Sequence, residues 1–164
     1  MQLVNTRTPV VRRVFISILA ASILTVALPQ PGFAQADPRL GTWNLNLAKS
    51  TFTQGPAPRS RTITYTAAIA TTVTIDAAGK STTMVTMRNV DGRPHRTTGS
   101  PDYDASALRR IDASSFILSR MKAGRLVSVQ KNVLSQDGKT IEVSISGINV
   151  AGQPLVSVAV YEKQ

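Results

Sequence analysis

Apolar and polar residues alternate along most of the chain beyond residue 40. Trp43, Leu45 and Leu47 share one face of their segment, with Asn44 and Asn46 on the other. Ile63, Tyr65 and Ala67 alternate with Thr62, Thr64 and Thr66, and Val73 and Ile75 with Thr72 and Thr74. The same spacing recurs at Ile141, Val143 and Ile145, then at Val156, Val158 and Val160. A period of two in segments rich in Val, Ile and Thr predicts β-strands, and no segment here shows a helical period. Strands are expected near 41–47, 60–68, 71–77, 82–90, 93–98, 106–112, 115–122, 125–135, 140–148 and 153–162. Between them fall turn signals such as Ala78-Gly79-Lys80, Asp91-Gly92-Arg93, Ala123-Gly124-Arg125 and Asp137-Gly138-Lys139, where glycine supplies the positive φ of tight hairpins. Residues 50–60 and 99–104 read as longer loops. Short connections imply an antiparallel meander. Closing it removes the two exposed edges, so the expected fold is all-β, an up-and-down barrel of about 8–10 strands, with a two-sheet sandwich as the alternative.

The first 36 residues do not fit this pattern. Arg7, Arg12 and Arg13 are followed by an apolar run from Val14 to Leu28, then by Pro29, Pro31 and Ala34-Gln35-Ala36. A basic start, a short apolar stretch and a small-x-small site describe a signal peptide over residues 1–36, cleaved near Ala36. A spanning helix needs about 20 apolar residues, so no stable membrane anchor is expected after processing. Arg12-Arg13-Val14-Phe15 also resembles a twin-arginine export signal. The expected product is periplasmic or secreted, with one domain over 37–164.

Composition narrows the chemistry. The chain has no Cys, so disulfides, thiolate nucleophiles and lipidation at a leader cysteine are excluded. Removal of the leader takes three of the 19 basic residues and none of the nine acidic ones, leaving 16 − 9 = +7. Such a charge suits an anionic envelope component as partner, or simply solubility there. Aromatic residues make up 5% of the chain, too few for a base-stacking platform, and no nucleic-acid partner is expected.

Several longer stretches carry a family likeness. They are Gly41-Thr42-Trp43-Asn44-Leu45-Asn46 with Lys49-Ser50-x-Phe52, DGRPHRTTGSPDYD at 91–104, LRRIDASSF at 108–116, LSQDGKTIEV at 134–143 and VAVYEKQ at 158–164. Together they resemble a group of small exported bacterial proteins described as lipocalin-like. The resemblance spans nearly all of the processed chain and implies the barrel, but no ligand or catalytic residue. Gly41-x-Trp43 is also similar to the N-terminal signature of lipocalins, in which the Trp closes the barrel floor beneath an Arg from a late strand. It implies a structural, barrel-end role for Gly41 and Trp43. The chain departs from lipocalins in lacking their disulfide and the pattern of their C-terminal helix.

Few residues suggest reaction chemistry. His95 is the only histidine and stands among Arg88, Arg93 and Arg96, which repel a metal ion. Asp102 and Asp104 are spaced like an acid/base or Ca²⁺ pair, yet Pro101-Asp102 also suits a turn. No Gly-x-Ser-x-Gly elbow or phosphate-cradling loop occurs, and no metal or cofactor is expected. Arg109 and Arg110 fall on opposite faces of one strand, which offers one of them an inward position, the alternative for each being a solvated face with its aliphatic stem over apolar surface. An inward guanidinium in a barrel must meet a buried carboxylate or the acid group of a ligand. Arg109, Arg110, Arg120 and Phe116 are therefore the candidate ligand-binding residues, with Arg125 beside them and Met84, Val85 and Leu118 as expected cavity lining. The leading expectation is a non-enzymatic binder of a small apolar or amphipathic ligand. The alternatives are an envelope interaction module with a basic surface, and an enzyme using His95 with Asp102 or Asp104.

Overall fold

A computed structural model of the protein describes residues 37–53, 55–148 and 152–164. The expected leader and its cleavage site lie outside the described residues. Ten strands follow one another: β1 (Gly41–Phe52), β2 (Ser60–Tyr65), β3 (Ile69–Ile75), β4 (Ser81–Met87), β5 (Asp91–Thr98), β6 (Ala105–Arg110), β7 (Ser115–Lys122), β8 (Arg125–Leu134), β9 (Thr140–Ile148) and β10 (Pro154–Lys163). Every strand pairs antiparallel with its sequence neighbours, and β1 pairs with β10, so the meander closes into a barrel with no free edge. The sandwich alternative is thereby excluded. Among the described residues no helix is long and apolar enough to cross a membrane.

Loops alternate between two ends. One end, the floor, carries residues 37–40 and the connections after β2, β4, β6 and β8. The other, the mouth, carries those after β1, β3, β5, β7 and β9. The core sits at the floor, where Trp43, Leu134, Ile141, Val143, Ala159 and Tyr161 pack together from β1, β8, β9 and β10.

Two irregularities shape the wall. In β1 the register with β10 slips between Asn46 and Thr51. There Ser50 Oγ donates to the Asn46 carbonyl (2.6 Å) and accepts the Val160 N–H (2.9 Å), so a hydroxyl stands in the ladder. The bulge turns Leu47 out into solvent, against the expectation that it continues the inward face of Trp43 and Leu45. It also carries the strand on to Phe52, past the expected loop start at residue 50.

The second irregularity is the β4–β5 seam. Only Val85↔Thr98 and Thr86↔Thr97 pair across it, while β5 runs on along β6 from Asp91 to Arg96. Pro94, which has no N–H to donate, sits where the β4 ladder is absent.

The loop after β5 is fixed by one glycine. Gly99 has φ +78°, and a Cβ there would stand 1.9 Å from the Thr83 carbonyl oxygen. Gly124 has a similar φ (+75°) with open space around it. Gly99→Ala is expected to cost roughly 2–4 kcal/mol in urea unfolding, and Gly124→Ala only about 1 kcal/mol, because the first adds a backbone clash to the left-handed strain. Equal costs at both sites would mean that the loop does not pack against β4 as described.

Candidate functional site

The barrel interior is hollow above its core. A cavity of about 510 Å³ reaches from Arg39 and Arg88 at the floor to Pro56, Pro58 and the Gly99–Tyr103 loop at the mouth. Its walls differ. β9 lends Ile141, Val143 and Ile145, joined by Ile63, Leu108 and Leu118. β3 and β4 instead turn Thr72, Thr74, Thr82 and Thr86 inward beside Met84, and leave Val73 and Ile75 exposed outside. The usual hydrophobic-in, polar-out order is thus reversed on β3 and mixed on β4. Such a reversal costs core burial and is explained by a polar group in the interior.

That group is Arg120. Parity places it on the inward face of β7 with Phe116 and Leu118, and it is 6% exposed. Its Nη1 donates to Thr86 Oγ1 (3.1 Å) on β4 and Ser106 Oγ (3.3 Å) on β6, and lies 3.5 Å from Met84 Sδ. The Ser106 hydroxyl in turn shares a hydrogen bond of 2.7 Å with Thr97 on β5. One guanidinium nitrogen therefore laces β4, β5 and β6 together where the β4–β5 ladder is weakest. The Tyr103 ring lies 5.2 Å from its carbon. Nε is buried with no acceptor, and among the described residues neither Nε nor Nη2 meets a carboxylate. Burial lowers the Arg120 pKa from its ordinary value, and the nearby Tyr103, Tyr65 and Tyr161 act in the opposite sense. Burial also pushes the Tyr65 hydroxyl up to about 12, so near neutral pH it is a neutral donor. All three tyrosines of the chain line this cavity.

The floor is closed by charge as well as by Trp43. Trp43 is fully buried, and its Nε1 donates to the Arg39 carbonyl (2.7 Å). The Asp37 carboxylate accepts from Arg39 Nε (3.0 Å) and Nη2 (2.7 Å), and from Arg88 Nη2 (2.5 Å). Arg88 also donates to the Thr66 carbonyl. Arg39 stacks on Phe116 at 3.3 Å, and Lys163 stands 5.3 Å over the Trp43 ring. Trp43 is thus buried at the floor end of the barrel, with Lys163 of the last strand over its ring. Gly41 adjoins it with φ +112°, where an added Cβ would touch the Lys163 stem at 3.6 Å.

Partial burial pushes the Asp37 carboxyl up, but the bonds from Arg39 and the charges of Arg39 and Arg88 outweigh it and hold the group far below the usual carboxylate range. A depressed folded-state pKa contributes stability that is present above the unfolded value and lost below it. Asp37→Asn is therefore expected to be less stable than the parent at pH 7. Thermal melts should show the gap narrowing as pH falls below about 4, the ordinary Asp value. A gap independent of pH would mean that the ion pairs do not support the fold.

The other expected site residues scatter. Arg109 and Arg110 are both exposed. Arg110 takes the inward parity, but at the floor rim, where its guanidinium lies 5.1 Å from the Phe116 ring. Phe116 is buried beneath Arg39 and does not line the cavity. Met84 and Leu118 line it, whereas Val85 faces outward opposite Thr71 and Thr98. Arg125 is exposed at the mouth. His95 Nε2 meets both Asp91 oxygens at 2.9 Å and makes no bond to Asp102 or Asp104. Asp104 instead accepts the Ala123 N–H (2.8 Å), fixing a turn. Among the described residues no group of His, Asp and Glu is arranged to hold a metal ion. Sequence reasoning missed Asp37, Arg39 and Arg88.

Fold and site together define a closed, hollow antiparallel barrel with a buried, acid-free arginine inside. No protein-family model matches the chain, and no curated protein matches it.

Proposed function

We propose that this protein is a non-enzymatic carrier that holds one small amphipathic ligand inside its barrel, with the ligand's acid group on Arg120 and its apolar body against β9. The observation that carries the reading is an Arg that is 6% exposed, lines a cavity of about 510 Å³ and has no carboxylate partner among the described residues. A buried lone charge costs several kcal/mol, and an anionic ligand offsets that cost with a charge-assisted hydrogen bond. The cavity volume lies within the range of small-molecule sites, and the mixed wall suits an amphipathic occupant. The enzymatic alternative is the weaker reading, since His95 is bound to Asp91 and makes no bond to Asp102 or Asp104.

The basic, apolar leader-like segment supports export, and with it a ligand drawn from the cell envelope. The test is incubation of the processed protein with an envelope lipid extract, followed by mass spectrometry of what the repurified protein retains. An acid retained by the parent and lost from Arg120→Met is the expected result. Nothing retained above a barrel of similar size overturns the reading.

A further inference from the structure

The cavity carries more positive charge than Arg120 alone. Among the described residues four arginines line it, Arg39, Arg61, Arg88 and Arg120, and one acid, Asp102, exposed at the mouth. Beneath the cavity Asp37 serves two guanidiniums at once. One carboxylate neutralises one of them, so the Arg39–Arg88 pair keeps a net positive charge. Both side chains are buried, and Arg88 Nε, like Arg120 Nε, has no acceptor. Stacking of Arg39 on Phe116 and of Arg88 on Tyr65 (4.9 Å) returns part of the cost. Such contacts are worth about 0.5–2 kcal/mol, less than the several kcal/mol of burying an unpaired ion. Two separate sites in one cavity therefore lack a negative charge.

We infer that the ligand is a diacid, with one acid group on Arg120 and the second on the Arg39–Arg88 pair at the floor. This rests on the carrier reading and names its ligand class. Thr86, which Arg120 contacts, lies on β4, and Arg88 follows two residues on, just past the strand's end at Met87, with both lining the cavity. That places the two charged levels about 7 Å apart along the wall. Tyr65 stacks on Arg88 and lines the same cavity. A monoacid leaves one level uncompensated, whereas a diacid neutralises both.

Titration calorimetry with matched probes tests this: hexanoate against adipate, dodecanoate against dodecanedioate, and 1,12-dodecanediol as the neutral control. The expected result is a diacid bound at least about tenfold more tightly than the monoacid of equal length, with the diol weakest. Arg88→Gln lowers diacid affinity to the monoacid level. Asp37→Asn releases both floor guanidiniums and widens the diacid preference, a gain that a misfolded protein cannot mimic. If Arg88→Gln does not fold by circular dichroism, the parent and Asp37→Asn ratios decide alone. Equal affinity for monoacids and diacids, both lost in Arg120→Met, overturns the diacid inference and leaves the carrier reading standing. Binding of the diol as tight as the acids, or no binding of any probe, overturns the acid-binding reading itself.

Discussion

Arg120→Met is expected to melt at a higher temperature than the parent and to retain no acid. The two effects have one cause. In the empty barrel the guanidinium is desolvated at a cost of several kcal/mol. Its return is two hydrogen bonds to hydroxyls and a weak sulfur contact, all through Nη1, and the Tyr103 ring 5.2 Å from its carbon. Bonds from a charged donor contribute about 1.5–3 kcal/mol each at best, and these lie at 3.1 Å and beyond, so the charge is under-compensated. Methionine fills much of the same space beside Met84 and Leu118 without a charge. The Thr97–Ser106 hydrogen bond survives the change, and the Thr86 hydroxyl is the group left wanting. The balance favours the variant by about 1–2 kcal/mol, or a few degrees in the melt of a domain this size. Saturating acid should raise the parent's melting temperature and leave the variant's unchanged. A variant less stable than the empty parent would show that Arg120 is a staple across the β4–β5 seam first and a ligand anchor second.

That arginine was partly legible beforehand, and its position shows where the reading of the sequence succeeds. Phe116, Leu118 and Arg120 share a parity in a strand with two apolar inward residues, so the inward direction of Arg120 follows from alternation. Arg109 and Arg110 are adjacent, and alternation alone fixes only that they diverge. Both lie near the floor end of β6, where even the inward parity is exposed. The strands themselves were visible because nearly every one repeats with period two. On β4 both faces carry apolar residues, Met84 inside and Val85 outside, so Val85 looks like lining and is not. The phase failed at Leu47, where the Ser50 hydroxyl breaks the ladder and ejects a residue that the pattern placed inside. The floor was illegible for another reason. Asp37 and Arg88 meet across 51 residues of sequence, and nothing in the local pattern marks either as a partner of the other. His95 found its carboxylate four residues back, at Asp91, instead of ahead at Asp102, because the chain bends at Gly92.

Trp43→Ala is the substitution with the largest expected loss of stability, about 3–5 kcal/mol by chemical unfolding. The side chain is fully buried in the core with Leu134, Ile141, Val143, Ala159 and Tyr161, and its removal leaves a cavity in that core. The indole N–H also holds the Arg39 carbonyl, and through it the segment that presents Asp37 to Arg88. Trp43→Phe separates the two contributions. It keeps most of the buried ring and loses the hydrogen bond, so its expected cost is about 1–2 kcal/mol. The pair also tests how the molecule divides its labour by depth. Trp43 does not line the cavity, so Trp43→Phe should leave the affinity of a monoacid at Arg120 unchanged while lowering stability. A loss of monoacid affinity in step with stability would mean that floor and site are one cooperative unit. A loss confined to diacids would mean that the indole supports the ligand's second acid group by holding Arg39 in place.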